Sequence, residues 1–442
     1  MAAAPAPKAA ARNDPRVIDG WAMFDWANSA YALVITVAIF PAYYASVGGG
    51  EPVELIGRTY ELPSLFSYAI SAAYLVLAAA SPLLSGIADA SGRKLSFLRG
   101  FTLVGSLGCL GLWWFEGVEQ LGLGTLLFMV ATLGYAGALV FYNSFLPDIA
   151  TEDRYDAVSA RGFSYGYVGS VLLLLASLAI IMRPTLIGLA PDAIGTATRI
   201  SFVLVGLWWL GFAQLAFSRL PGDRREKMPA GWLRQGYREL LDTWRAARQQ
   251  PVLIRFLTAF FFYSAGVQTV LFLASTFAEA ELDFGTSELI LTVLILQVVA
   301  IGGAWLFARL SARLGNIPAL LIQLVVWMSI CGLAYFVTEK VGFYVIACFV
   351  GLVMGGIQSL SRSTYSKLIP PDAEDITSYF SFYDLLEKLA IVVGTFSFGM
   401  INQVLGSMRA SMLALAGFFL VGLLLLWTVR VRQRRMTVAA EV

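Results

Sequence analysis

With 442 residues, 58% of them hydrophobic and 14% charged, the chain is more apolar than soluble domains, which run at roughly 45–50%. Its net charge of +2 says little, but the charges cluster between long apolar runs, the distribution of a multi-pass membrane protein. Histidine is absent, which excludes His-based zinc sites, Ser/His/Asp and Cys/His catalysis and His proton relays. No other nucleophile-and-base pair or metal set takes their place, so neither enzyme activity nor a cofactor is expected. Cys109, Cys331 and Cys348 lie in separate apolar runs and read as small buried hydrophobes.

Residues 1–19 are Ala/Pro-rich and lack an apolar core before a cleavage site, so they read as a disordered cytoplasmic tail ahead of an uncleaved first span. Hydropathy then marks twelve spans. Trp21–Ala45, Ser64–Ile87, Leu95–Phe115, Leu121–Phe141, Ser164–Met182 and Ile200–Phe217 form a first six-helix bundle over residues 20–217. Phe256–Phe277, Leu289–Leu310, Ala319–Phe336, Phe343–Gln358, Tyr383–Leu405 and Met412–Val429 form a second over 251–430, followed by a cytoplasmic tail, 431–442. With the amino terminus inside, the inner side collects all but five of the 31 basic residues, leaving Arg58, Arg183, Arg199, Lys340 and Arg409 outside. Both termini are thus expected in the cytoplasm and the protein in the inner membrane.

The first span contains a carboxylate. Asp25, Asn28 and Ser29 are spaced i, i+3, i+4 and form one polar stripe on a helix, with Tyr31 just beyond. An ionised Asp well inside a span costs about 2.5–3.5 kcal/mol on insertion scales, so the stripe must face protein or water. One reading makes it part of a transport cavity. In the other, Asp25 merely reaches headgroups or a neighbouring loop.

Between spans two and three stands Gly86-Ile-Ala-Asp89-Ala-Ser-Gly92-Arg93-Lys94, where glycine permits a tight turn and Asp89 can accept from Arg93 or from a helix amino terminus. The equivalent stretch of the second half, Arg309-Leu-Ser-Ala312-Arg313-Leu-Gly315-Asn316, keeps a glycine but has Ala312 in place of the acid. The linker 218–250 contains Trp232-Leu-Arg-Gln-Gly-Tyr-Arg-Glu-Leu-Leu-Asp-Thr-Trp244-Arg, which reads either as an amphipathic helix along the inner surface, with Arg234, Arg238, Arg245 and Arg248 meeting anionic headgroups, or as a plain solvated linker. Nothing in it points to nucleic acid.

Asn143, Gln268, Gln297 and Gln358 can donate and accept as a polar solute requires, or can join helices. Asp384 and Lys388 are spaced for a helix salt bridge, with Glu387 between them, and Lys388 is also a candidate solute ligand. Gly162, Gly166 and Gly169 imply close helix packing in span five.

The G-x-x-x-D-x-x-G-R-K run resembles the loop motif of the major facilitator superfamily, in its place between spans two and three. Several other runs resemble the vacuolar-effluxer-like branch, related to fungal autophagy-associated amino-acid exporters. These are Phe24–Tyr31, Asn143–Pro147 with Tyr165-Gly166-Tyr167, Gly266-Val-Gln268-Thr and Gly355-Gly-Ile-Gln358-Ser-Leu-Ser-Arg362-Ser. The resemblance implies an all-α integral membrane fold of two pseudo-symmetric six-helix bundles and secondary transport of amino acids or similar small solutes, by export. It makes Gly86, Asp89, Gly92, Arg93 and Lys94 gating residues. Asp25 can hold a solute ammonium group or take up a proton, which makes protons a candidate coupling ion, and a monomer is expected. The chain departs from the branch at span seven, where Ala265 and Phe272 stand at places that often carry an acid and a base. A lipid or hydrophobic-drug exporter of the same fold and a non-transporting scaffold or sensor are the rival readings.

Overall fold

Inside a bilayer the backbone has no water to bond, so each apolar run satisfies its own N–H and C=O groups by forming a helix. The computed structural model describes residues 12–47, 53–55, 58–60, 62–223, 232–370, 373, 375–405 and 407–440. The first half consists of α1 (Pro15–Val47), α2 (Leu62–Ser91), α3 (Lys94–Gly111), α4 (Leu121–Ser144), α5 (Tyr155–Met182) and α6 (Ile194–Arg219). Then come α7 (Trp232–Arg248), α8 (Pro251–Leu282), α9 (Thr286–Leu314), α10 (Asn316–Phe336), α11 (Lys340–Leu368), α12 (Ile376–Leu405) and α13 (Met408–Ala440). Among the described residues, eleven helices are long and apolar enough to cross a membrane. The twelfth long one, α12, runs for 30 residues and carries Asp384, Glu387 and Lys388.

Three details differ from the sequence expectation. Helix α1 starts at Pro15, capped by the Asp14 side chain accepting from Arg16 N at 2.8 Å, so residues 15–19 are helical rather than tail. At the other end α13 continues to Ala440, because hydropathy registers only the membrane-crossing part of a helix that runs on past it. Cys348 is exposed, while Cys109 and Cys331 are buried. The connection after α1 adds a two-stranded hairpin, with Val53 paired to Tyr60 and Leu55 to Arg58. Residues 1–11 of the expected tail lie outside the described residues.

Within α1, Tyr31–Ile39 is π-helical. Pro41 follows and has no N–H for the carbonyl four residues back, so the α ladder is already interrupted here. Packing divides the chain into two compact units, residues 1–149 with 165–236 and residues 150–164 with 237–442. Helix α5 thus begins in the second unit and continues in the first.

The first unit is centred on aromatic side chains. Phe40 stacks on Phe128 at 4.8 Å, and the Tyr44 hydroxyl meets Thr125 Oγ1 at 2.6 Å. In the second unit α9 and α11 lie backbone to backbone. A Cβ at Gly351 would sit 2.6 Å from the Leu296 carbonyl oxygen, and one at Gly355 would overlap the Ala300 carbonyl.

After α6 the chain turns back onto the amino terminus of α3. Asp223 Oδ1 accepts from Leu95 N at 2.8 Å and Oδ2 from Ser96 N at 3.2 Å, so the carboxylate at that helix end comes from far along the chain. Asp223→Ala should destabilise the protein by about 1 kcal/mol, read as a lower thermal-unfolding midpoint in detergent. An unchanged midpoint would show that this cap contributes nothing.

Candidate functional site

The polar stripe of α1 is buried, as its cost in lipid requires: Asp25 is 4% exposed and Asn28 1%. Asp25 Oδ2 accepts from the Tyr142 hydroxyl at 2.7 Å. The Tyr142 ring is held in turn, stacked by Trp21 at 4.5 Å and Phe24 at 4.9 Å, while Trp21 Nε1 donates to the Tyr142 carbonyl at 3.0 Å. The carboxylate therefore has a fixed orientation at the end of α4, where Asn143, the residue after Tyr142, is half-buried. Asn28 Oδ1 is shielded from solvent and has no hydrogen-bond partner. Together the two residues place a carboxylate and an unsatisfied amide oxygen one helical turn apart, an acceptor set suited to a cationic donor.

Tyr31 points elsewhere. Its hydroxyl meets Thr132 Oγ1 at 2.8 Å, and its ring packs on Tyr135 and Trp209 at 5.1 and 5.7 Å. At the Ser29 edge of the stripe, a Cβ on Gly166 of α5 would overlap Ser29 Oγ and stand 3.3 Å from the Asp25 carbonyl oxygen. Glycine is what lets α5 approach α1 at Ser29, the member of the stripe that this helix covers.

In the second unit Gln268 and Lys388 come into one neighbourhood. Gln268 Nε2 of α8 donates to Glu387 Oε1 of α12 at 3.2 Å, and Lys388 Nζ donates to Asp384 Oδ1 one turn earlier. The salt bridge expected from the i, i+4 spacing is present, and it is buried. Gln358 is half-buried on α11. Ala265 and Phe272, the two departures on α8, differ in place: Ala265 is buried, whereas Phe272 is 37% exposed.

The connection between α2 and α3 is the tight turn that its glycine permits. Gly92 has φ +62°, its N–H donates to the Asp89 carbonyl at 3.2 Å, and Arg93 N donates to the Ala88 carbonyl at 3.1 Å. Gly86 is buried on the last turns of α2. Lys94 reaches across to the end of α4, donating to Asp148 Oδ2 at 2.7 Å and to the Ser144 carbonyl at 3.1 Å.

The equivalent turn of the second half has Gly315 at φ +87° and lacks the acid at Ala312. A carboxylate arrives from Asp156 at the start of α5. It accepts from Ser311 Oγ at 2.7 Å, Asn316 Nδ2 at 2.8 Å and Lys367 Nζ at 2.9 Å. One turn further along α5, Ser159 is gripped by Arg362 of α11, whose Nε donates to Ser159 Oγ and Nη2 to the Ser159 carbonyl, both at 2.9 Å. The Arg362 guanidinium also lies 4.2 Å from the centre of the Phe163 ring. Sequence reading singled out neither Asp156 nor Tyr142. Each is an ordinary residue in its own helix and gains its role from partners more than a hundred positions away.

Of the linker helix α7, Arg234, Tyr237, Arg238, Arg245 and Arg248 are exposed, while Thr243 and Ala247 are buried. Thr243 bonds to Asp375, and Trp244 packs 5.3 Å from Phe382.

A family model described as vacuole effluxer Atg22-like matches residues 13–439. YxiO of Bacillus subtilis, an uncharacterised MFS-type transporter, is 31% identical over 408 residues, covering 92% of this chain and 93% of that protein. Autophagy-related protein 22 of Kluyveromyces lactis is 25% identical over 394 residues, covering 81% and 78%. Among solved structures, the major facilitator superfamily transporter FucP in its outward conformation superposes with a TM-score of 0.71 at 14% identity, over 94% of this chain and 99% of that one. The human organic anion transporter MFSD10 gives 0.69 at 15% identity, over 94% and 100%. At such identities these two likenesses speak for the fold alone.

Proposed function

The chain belongs to the vacuole effluxer Atg22-like family of major facilitator transporters, and from that premise we propose that it exports a small polar solute, an amino acid or a similar metabolite, by alternating access. The observation that carries this reading is the acceptor pair on α1: a buried carboxylate oriented by Tyr142, and the Asn28 amide oxygen with nothing to accept from. A solute ammonium group would satisfy both oxygens. On this reading Asp25, Asn28 and Asn143 are the solute ligands of the first unit, and Gln268, Gln358 and Lys388 those of the second, while Tyr31, its hydroxyl engaged by Thr132, serves packing instead. The turn Gly86–Lys94 acts in gating. Protons serve as the coupling ion, and a monomer in the cytoplasmic membrane, with both termini inside, is the working form.

The test is uptake of radiolabelled amino acids, offered individually, into proteoliposomes. Losing a charge-assisted hydrogen bond of about 1.5–3 kcal/mol should lower the transport efficiency of Asp25→Asn about tenfold to a hundredfold. Wild-type uptake of no amino acid, or equal uptake by Asp25→Asn, would overturn the reading.

A further inference from the structure

Helix α12 carries three charges within about one turn, and their sum does not cancel. Lys388 is 5% exposed and Asp384 3%, so their ion pair is withdrawn from water. Asp384 Oδ2 is shielded from solvent and has no hydrogen-bond partner. Glu387, the second carboxylate, is held by the Gln268 amide of α8, a neutral donor. Two carboxylates thus share one ammonium.

On α8, Tyr263 lies within electrostatic reach of Glu387, and on α12 itself Tyr383 does so too. Beyond Tyr383 come Arg362 and Tyr365 of α11. Helix α13 also packs on α12, and among its residues whose side chains are described, up to Val429, the buried ones are apolar apart from Ser411: Met412, Leu415, Phe419, Leu426 and Val429. With every acid ionised, the turn itself holds one surplus negative charge, on a buried Asp384 and a half-buried Glu387, and two carboxylates competing for one cation favour protonation of one of them.

We propose that Asp384 and Glu387 share one exchangeable proton, and that this proton is the coupling ion of transport. The coupling role rests on the transporter reading above; the proton site does not. In the uptake step, an O–H bond forms on a carboxylate oxygen, with Asp384 Oδ2 offering a free lone pair, as an O–H bond of a hydronium ion breaks and leaves water. Lys388 keeps its charge and its place, so the loaded turn is neutral. Release returns the proton to water and restores the surplus charge.

Two measurements decide the matter. The first is pH-difference infrared spectroscopy of the purified protein in lipid, observing the carbonyl stretch of a protonated buried carboxyl. The wild type should show this band on acidification; Glu387→Gln should abolish it, Asp384→Asn should displace it, and Asp25→Asn should retain it. A wild-type spectrum without the band overturns the proposal with no variant needed. So does a band that survives both Glu387→Gln and the double variant Asp384→Asn/Lys388→Met, which removes the ion pair.

The second is accumulation of a labelled amino-acid mixture in proteoliposomes under a pH gradient. For one coupled proton, one pH unit sustains about tenfold accumulation. Glu387→Gln should lose this accumulation while still exchanging labelled for unlabelled solute without a gradient. Gradient-driven accumulation by Glu387→Gln equal to the wild type overturns the coupling role. If the band follows Glu387 but the wild type takes up no amino acid, the solute reading falls and the proton site stands supported.

Discussion

Replacing Asp156 with alanine is expected to cost about 3 kcal/mol of stability, the low end for breaking a buried ion pair by removing one partner. The low end applies because the Lys367 side chain is still 21% exposed and keeps Asn316 Oδ1 at 2.9 Å. The loss has two sources. Lys367 is left with a largely desolvated charge, and the Ser311 hydroxyl and the Asn316 amide each lose an acceptor. Asp156→Ala/Lys367→Met should recover part of the loss, since no buried charge is then stranded. A double-mutant cycle on thermal unfolding in detergent measures the coupling. Should Asp156→Ala unfold within about 0.5 kcal/mol of the wild type, the normal range for an uninvolved surface site, the cluster at the start of α5 would not be a stabilising feature.

A second large effect is expected from adding a single methyl group to the α9–α11 contact. Glycine in a helix interior ordinarily costs about 0.5–1 kcal/mol relative to alanine, so Gly→Ala usually stabilises. At Gly303 and Gly355 the sign should reverse, because a Cβ there overlaps the carbonyls of Leu352 and Ala300, and a backbone cannot rotate away as a side chain can. Each substitution should destabilise by about 1–3 kcal/mol, the usual range for overpacking. Gly302 is the internal control. It is adjacent to Gly303 but exposed, with nothing within 4 Å of a Cβ. Gly302→Ala should match or exceed wild-type stability, and equal behaviour at 302 and 303 would refute the close-contact explanation.

What could be read in advance was whatever depends on near neighbours in sequence. The twelve apolar runs, the turn at Gly92 and the Asp384–Lys388 pair all follow from spacings of a few residues. Partnerships across the fold were invisible. Lys94 was legible as part of a loop motif, but its bond to Asp148 depends on where α4 ends. Ala312 looked like a lost acid because sequence equivalence cannot show that Asp156, on another helix, would occupy the space. Gln268 and Glu387 stand 119 positions apart, and only packing of α8 on α12 makes them partners. Exposure was the other blind spot: Cys348 is as apolar in sequence context as Cys331, yet it lies on the outside.

The π-helical stretch of α1 has a consequence for phase. Hydrogen bonds to the fifth residue make a wider coil, which turns through less angle per residue than an α-helix does. Over Tyr31–Ile39 that lag accumulates, so Phe40 and Tyr44 do not lie on the azimuth that counting by 3.6 from Asp25 would assign. The aromatic nest at one end and the acceptor oxygens at the other are thus clocked against each other by these nine residues. Removing one residue there would act less like shortening a rod than like turning a key, swinging one end away from its partners while the other stayed seated.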